Sequence, residues 1–308
     1  MLSIFIQIFP FFALIALGFF AARGRFFSDE DTGNLTKFVF YFALPAMLFR
    51  FASGLDIGEV IDPKFVLAYW LGGIGVYAIV MIAARLRKLD GSTAAIEAQC
   101  AVFGNSGFMA IPMMIGIFGE QAAGPVIMIL AVDIIFTSNM AVIMITATRE
   151  GQLSPKVIQR IIKGLFKNPM FLSIAFGLLW SVLNVPKIAP IDKTVEMIGA
   201  AATPTALFVI GASLAQNKAE KLQIALWLSF CKLALLPLFC WVLAFHIFHI
   251  EPFAAGIMVG VAAMPSASTI YIVARSYDVA AIRASSTILI STIISIVTLT
   301  YVLKLIGS

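Results

Sequence analysis

The chain has 308 residues, 61% of them hydrophobic and 12% charged, with a net charge of +5 and mean hydropathy +1.01. Soluble domains carry about 25% charged residues, so most of this chain belongs in lipid, and its length accommodates about ten spans of roughly 20 residues with no room for a soluble domain. The basic residues lie in short loops without a basic face or aromatic platform, which argues against nucleic acid. Cys100, Cys231 and Cys240 fall inside apolar runs without CxxC spacing, so neither a disulfide framework nor a zinc site is expected.

Leu2 to Ala22 lacks a basic n-region and is followed by Arg23 and Arg25 rather than a small-residue cleavage site, so it reads as a first span and not a signal peptide. Apolar runs bounded by charge, Pro or Gly then give spans 2–22, 35–54, 64–84, 93–118, 124–147, 169–184, 194–216, 222–248, 252–274 and 281–305. Loops after the odd spans, with their flanks, hold fifteen Lys and Arg, among them Arg23, Arg85, Arg87, Arg149, Lys163 and Arg283, against five on the other side: Arg50, Lys64, Lys187, Lys193 and Lys304. The positive-inside rule places the odd loops in the cytoplasm and both termini outside a multi-pass cytoplasmic (inner) membrane protein. The longest loop, 149–168, sets Val157, Ile158, Ile161, Ile162 and Leu165 on one helical face and Lys156, Arg160, Lys163 and Lys167 largely off it, the pattern of a helix on the inner membrane surface.

Shifting the chain by 159 residues aligns Pro10, Phe12, Ile15, Ala16 and Gly18 with Pro169, Phe171, Ile174, Ala175 and Gly177, and Pro45, Leu48, Phe49 and Leu55 with Pro204, Leu207, Phe208 and Leu214. Five spans per repeat is an odd number, so the second copy enters the membrane upside down. The expected fold is all-α: ten transmembrane helices as two inverted five-helix repeats, 1–148 and 169–308, joined by a cytoplasmic amphipathic linker over 149–168. Inverted repeats are typical of secondary transporters, whose two halves exchange conformations.

Span four is interrupted by Gly104-Asn105-Ser106-Gly107 and then Pro112; span nine is interrupted by Pro265-Ser266-Ala267-Ser268. The same offset places Ser106 on Pro265. Pro removes a backbone donor and Gly loosens the chain, so both helices should break near midplane, and broken backbone survives in a bilayer only inside protein or beside a watery cavity. Asn105, Ser106, Gly107, Pro112, Pro265, Ser266 and Ser268 are therefore the candidate substrate-binding residues, with half-helix N-termini suited to a carboxylate. Lys232 and Asp133 fall near midspan, where ionisable groups are functional candidates: Lys232 as counter-charge to a substrate carboxylate, Asp133 as a proton or cation carrier, with a structural Asp133–Lys232 pair as the alternative. Glu97, near the cytoplasmic end of span four, reads as interfacial or as a second coupling group. A sodium ion would need an oxygen cage, for which Asn105, Ser106, Ser291, Thr292 and Ser295 are candidates; a proton on Asp133 or Glu97 is equally compatible. No other cofactor is expected. His246 and His249 with Glu251 are a weak metal set, and no catalytic motif is present.

Ala43-Leu44-Pro45-Ala46-Met47-Leu48-Phe49, Gly104-Asn105-Ser106-Gly107-Phe108 with Pro112, Lys232-Leu233-Ala234-Leu235-Leu236-Pro237 and Ala262-Ala263-Met264-Pro265-Ser266-Ala267 together resemble the auxin efflux carrier family, in its short prokaryotic form. The resemblance covers essentially the whole chain. It implies the fold class of the bile acid sodium symporters: a scaffold of spans one, two, six and seven, and a transport domain of spans three to five and eight to ten with broken helices crossing at Asn105–Pro112 and around Pro265. It also implies small organic anion substrates moved by an elevator motion, and a homodimer. Plant members have a long hydrophilic central loop that this chain lacks. Rival readings are a membrane-embedded solute sensor, a passive channel and an intramembrane enzyme.

Overall fold

In the computed structural model, residues 2–55, 62–150, 155–186, 188–216 and 221–306 are described, and among them every element is helical. They are α1 Leu2–Arg23, α2 Asp29–Ala52, α3 Pro63–Leu86, α4 Gly91–Val102, α5 Ser106–Phe118, α6 Glu120–Arg149, α7 Pro155–Leu165, α8 Pro169–Val182, α9 Ala189–Ala215, α10 Leu222–Ile247, α11 Pro252–Ala262, α12 Thr269–Ser276 and α13 Ala281–Ile306. Six of these, α2, α3, α6, α9, α10 and α13, are long and apolar enough to cross a membrane; α5, α8, α11 and the Ile8–Arg23 stretch of α1 are shorter apolar helices. Several starts follow one local recipe, an oxygen-bearing cap followed by Pro. Asp62, Asn168 and Glu251 each accept backbone N–H groups of the first turn that begins at Pro63, Pro169 and Pro252, where the missing proline donor has no partner to lose.

Three proline-bearing helices widen into a π-helical turn just ahead of the proline: Val39–Ala43 before Pro45, Ser106–Ala110 before Pro112, and Cys231–Leu235 before Pro237. A proline within a helix clashes with the carbonyl one turn back and gives it no hydrogen bond; an extra residue in the preceding turn relieves both. A fourth π turn, Asp133–Thr137, has no proline. Asp133 and Lys232, the two charges expected near midspan, both sit in such turns.

The helices pack in two groups. In the first, α1 lies along α9, and α2 lies against α8 and the start of α9; in the second, α3, α4, α6, α10, α11 and α13 share most of their contacts. Within the first group, glycines let backbones touch. A Cβ on Gly18 would stand 2.0 Å from Phe208 O, one on Gly211 1.8 Å from Ile15 O, and one on Gly177 2.7 Å from Ala52 Cβ. Without a hydrophobic drive inside lipid, such close approach is what holds helices together. Large apolar side chains such as Phe20, Phe42, Ile82, Phe176, Ile272 and Val297 point outward, as a lipid-facing surface requires. In α7, Ile158 and Ile162 are exposed, consistent in position with an apolar stripe; the side chains of Val157 and Arg160 lie outside the described residues.

Gly211→Ala should destabilise the protein by about 3 kcal/mol, the upper range for overpacking, whereas Gly33→Ala, with nothing near its added carbon, should leave it unchanged or slightly more stable. Thermal unfolding of the purified variants in detergent measures both.

Candidate functional site

The sequence expectation of broken helices is met: the fourth apolar run divides into α4 and α5, and the ninth into α11 and α12. The two gaps face one another. Gly104 and Ser266 form an isolated antiparallel bridge, in which Asn105 N–H donates to Pro265 O (2.8 Å) and Ala267 N–H donates to Phe103 O (3.1 Å). Ser266 adds two bonds, its hydroxyl donating to Cys100 O (2.7 Å) and its N–H to Ser291 Oγ (3.1 Å). Backbone groups that both helices lose at their breaks are thus satisfied by the opposite break and by α13, which is what an interior without water demands.

Charges mark the ends of the breaks. Asp133, fully buried on α6, accepts the Ser106 hydroxyl (2.6 Å) at the first residue of α5 and the Tyr69 hydroxyl (3.1 Å) from α3. A carboxylate belongs at a helix N-terminus, where the macrodipole is positive. Lys232, 1% exposed on α10, donates to Ala262 O (2.5 Å), the last residue of α11, and its Nζ is 3.1 Å from where a Cβ of Gly104 would be. An ammonium belongs at a helix C-terminus by the same rule. The structure does not join Asp133 and Lys232 in an ion pair; Lys232 caps the end of α11, and Asp133 bonds a hydroxyl at the start of α5.

Asn105 stands apart from its neighbours. It is 7% exposed, and among the described residues its carboxamide has no hydrogen bond, although its backbone accepts from Met109 and Ala110. A mostly buried residue whose amide keeps its donors and acceptor unused can offer them to a polar ligand; the fully buried unbonded side-chain atoms among the described residues are Gln99 Oε1 and Ser229 Oγ. Ser106 and Ser266, by contrast, spend their hydroxyl protons on Asp133 and Cys100, so they brace the crossing and keep only acceptor capacity. Gly107 faces α8, where a Cβ would lie 2.8 Å from Met170 Cε. Pro112 and Pro265 are buried. Ser268 is half-buried at the head of α12 with no side-chain cap bond.

In α13, Thr292 and Ser295 are buried and donate to Ile288 O and Thr292 O, while Ser291 donates weakly to Ile288 O (3.2 Å) and accepts from Ser266. Glu97 is fully buried within the protein, with one carboxylate oxygen held by Arg87 and the other by Arg283, so it ties the end of α3 to α4 and α13. His246 packs edge-on to Trp241 (4.6 Å) and His249 Nδ1 lies 3.1 Å from Phe245 O; no cluster of His, Cys and acidic groups able to hold a metal occurs among the described residues. Sequence reasoning missed Tyr69, for which a polar tip in the middle of an apolar span was the available signal, and it gave Arg87 and Arg283 only orienting roles.

Two cavities border the first helix group. One, of about 600 Å³, is an apolar groove between α2, α8 and α9 walled by Phe49, Phe176 and Trp180. The other, of about 220 Å³, lies between the first group and α5: Met47, Arg50 and Phe51 of α2, Phe11 of α1 and Gly199 of α9 face Pro112, Ile115 and Gly116 of α5.

Comparison with known proteins accords with this geometry. Across 97% of its length the chain is 29% identical, over 302 residues, to a Rhizobium meliloti (strain 1021) protein named "Putative malonate transporter", covering 94% of that relative. It is 24% identical to "Uncharacterized transporter YfdV" of Escherichia coli (strain K12), over 97% of this chain and 96% of the relative. An "Uncharacterized transporter" of Methanothermobacter thermautotrophicus is 26% identical over 93% of each chain. A family model described as "Membrane transport protein" matches residues 3–303. Sharing that whole-length match and the auxin efflux carrier motifs, the chain belongs to the membrane transport protein family and is a multi-pass membrane transporter.

Proposed function

We propose that this transporter is a secondary carrier of small dicarboxylates, working by an elevator motion and coupled to protons or sodium. The observation that carries the reading is the carboxamide of Asn105, without a hydrogen bond in a residue that is 7% exposed, beside the paired helix breaks. A carboxylate bonding there would gain a charge-assisted hydrogen bond, and bonds of that kind contribute about 1.5–3 kcal/mol. The name of the Rhizobium relative directs the substrate class toward malonate. Lys232 supplies the nearby positive charge, and Ser106, Gly107, Pro112, Pro265, Ser266 and Ser268 shape the backbone around it.

The proposed architecture is two inverted five-helix repeats over 1–148 and 169–308 with the linker 149–168 between them. Supporting it, the contacts of Gly18 with Phe208 and of Gly177 with Phe49 and Ala52 recur at the same 159-residue offset that the sequence shows. The α1, α2, α8, α9 group is the proposed scaffold, and the remaining membrane helices are the moving body, whose internal ties through Glu97, Asp133 and Ser266 keep it rigid while it slides. The termini lie outside the cytoplasmic membrane in this arrangement, α7 rests on its inner surface, and two copies assemble as a homodimer. Asp133 is the proton carrier in one form of coupling; the hydroxyls of Ser291, Thr292 and Ser295 with Asn105 and Ser106 form the oxygen set in the sodium form, and Glu97 serves the ion triad.

Malonate uptake into proteoliposomes tests the site. Asn105→Ala should lower uptake by at least about tenfold, the equivalent of 1.4 kcal/mol; unchanged flux would remove Asn105 from it. Asp133→Asn separates the two forms of coupling. With protons as the driver, the variant should lose accumulation against a gradient yet keep malonate–malonate exchange, whereas sodium-driven accumulation that survives the substitution assigns coupling to the hydroxyls.

A further inference from the structure

The smaller cavity holds a cation that the crossing does not use. Arg50 is the final-turn basic residue of α2 and lines the cavity opposite Pro112 of α5, so it looks from the first helix group toward the half-helix that carries Asn105 at its head. Its guanidinium lies 5.8 Å from the Phe51 ring centre, which fixes one side of it. On the other side Arg50 Nη2 is 3.5 Å from Glu120 Oε1, with side chains 36% and 74% exposed respectively, and Glu196 also lines the cavity.

That pair is loose. A single contact at this length between exposed groups contributes about 0–1 kcal/mol, while a guanidinium offers a planar fork that a free carboxylate fills with two parallel bonds. A dicarboxylate is a small molecule for which about 220 Å³ is ample room, and Met47, Phe51 and Ile115 give the cavity apolar walls on one side of the guanidinium.

We propose that Arg50 is a second, capturing site for the dicarboxylate at the mouth of the path to Asn105, and that the substrate displaces Glu120 from the guanidinium on arrival. The assignment rests on the dicarboxylate reading above and adds a residue that sets apparent affinity. Glu120 is then a competitor for Arg50, so the two substitutions act in opposite directions, which a latch between helix groups would not produce.

The test is malonate uptake by the full chain in proteoliposomes, with KM and kcat determined separately, alongside calorimetric malonate binding to the purified protein at low salt. Arg50→Gln should raise KM and the dissociation constant about tenfold, more than it lowers kcat, with Arg50→Lys intermediate; Glu120→Gln should lower KM about threefold. Equal KM in wild type and Arg50→Gln overturns the assignment alone. So do Arg50→Gln and Glu120→Gln effects of the same sign and size, the mark of a latch. Should Arg50→Gln fail to fold, wild type, Arg50→Lys and Glu120→Gln decide the matter, equal KM among them overturning it. A wild type that neither binds nor carries malonate overturns this assignment together with the substrate reading.

Discussion

In hydrocarbon an unbonded peptide group costs several kcal/mol, and two helices of this chain lose their hydrogen-bond ladders in mid-course. The bridge between Gly104 and Ser266 settles that cost locally, and much of the surrounding structure follows from it. The two breaks must meet, so α4, α5, α11 and α12 must converge at one depth. Helices α6, α10 and α13 must then bring Asp133, Lys232 and Ser291 to the ends that the bridge leaves. Gly104 leaves room for Lys232, whose Nζ and Cε would stand 3.1 and 3.2 Å from a Cβ there.

The charges follow the same logic. A midmembrane Asp or Lys is costly in lipid, but a carboxylate at the start of α5 and an ammonium at the end of α11 complement the dipoles of half-helices that end inside the protein. Their placement in π turns matters, since a widened turn redirects the side chain relative to a regular helix. Tethered charges at the ends of broken helices hold the half-helices in register, while the amide of Asn105 carries no hydrogen bond from the protein among the described residues. Glu97 works differently: two arginines satisfy both its oxygens, which makes it a joint between three helices.

Much of this was legible in the chain. Apolar run lengths located the six helices long enough to cross a membrane, with ends within about six residues, and Gly104-Asn105-Ser106-Gly107 with Pro112, and Pro265-Ser266-Ala267-Ser268, gave both breaks because Gly and Pro act locally. What sequence could not supply was partnership across long separations. Ser106 reaches Asp133, Tyr69 reaches Asp133, Ser266 reaches Cys100 and Lys232 reaches Ala262, and each pairing is set by how helices cross, which spacing within one helix does not encode. For that reason the sequence left Lys232 open between Asp133 and a substrate, and left Glu97, read as interfacial or coupling, without its two arginine partners.

The central claim is that the substrate sits where the two breaks meet. A cryo-electron microscopy map of the protein saturated with malonate measures this directly. The account predicts density for the ligand against the Asn105 carboxamide, between the Gly104–Ser266 bridge and Met170 of α8. Density confined to places remote from both breaks, such as the groove between Phe49, Phe176 and Trp180, would contradict it.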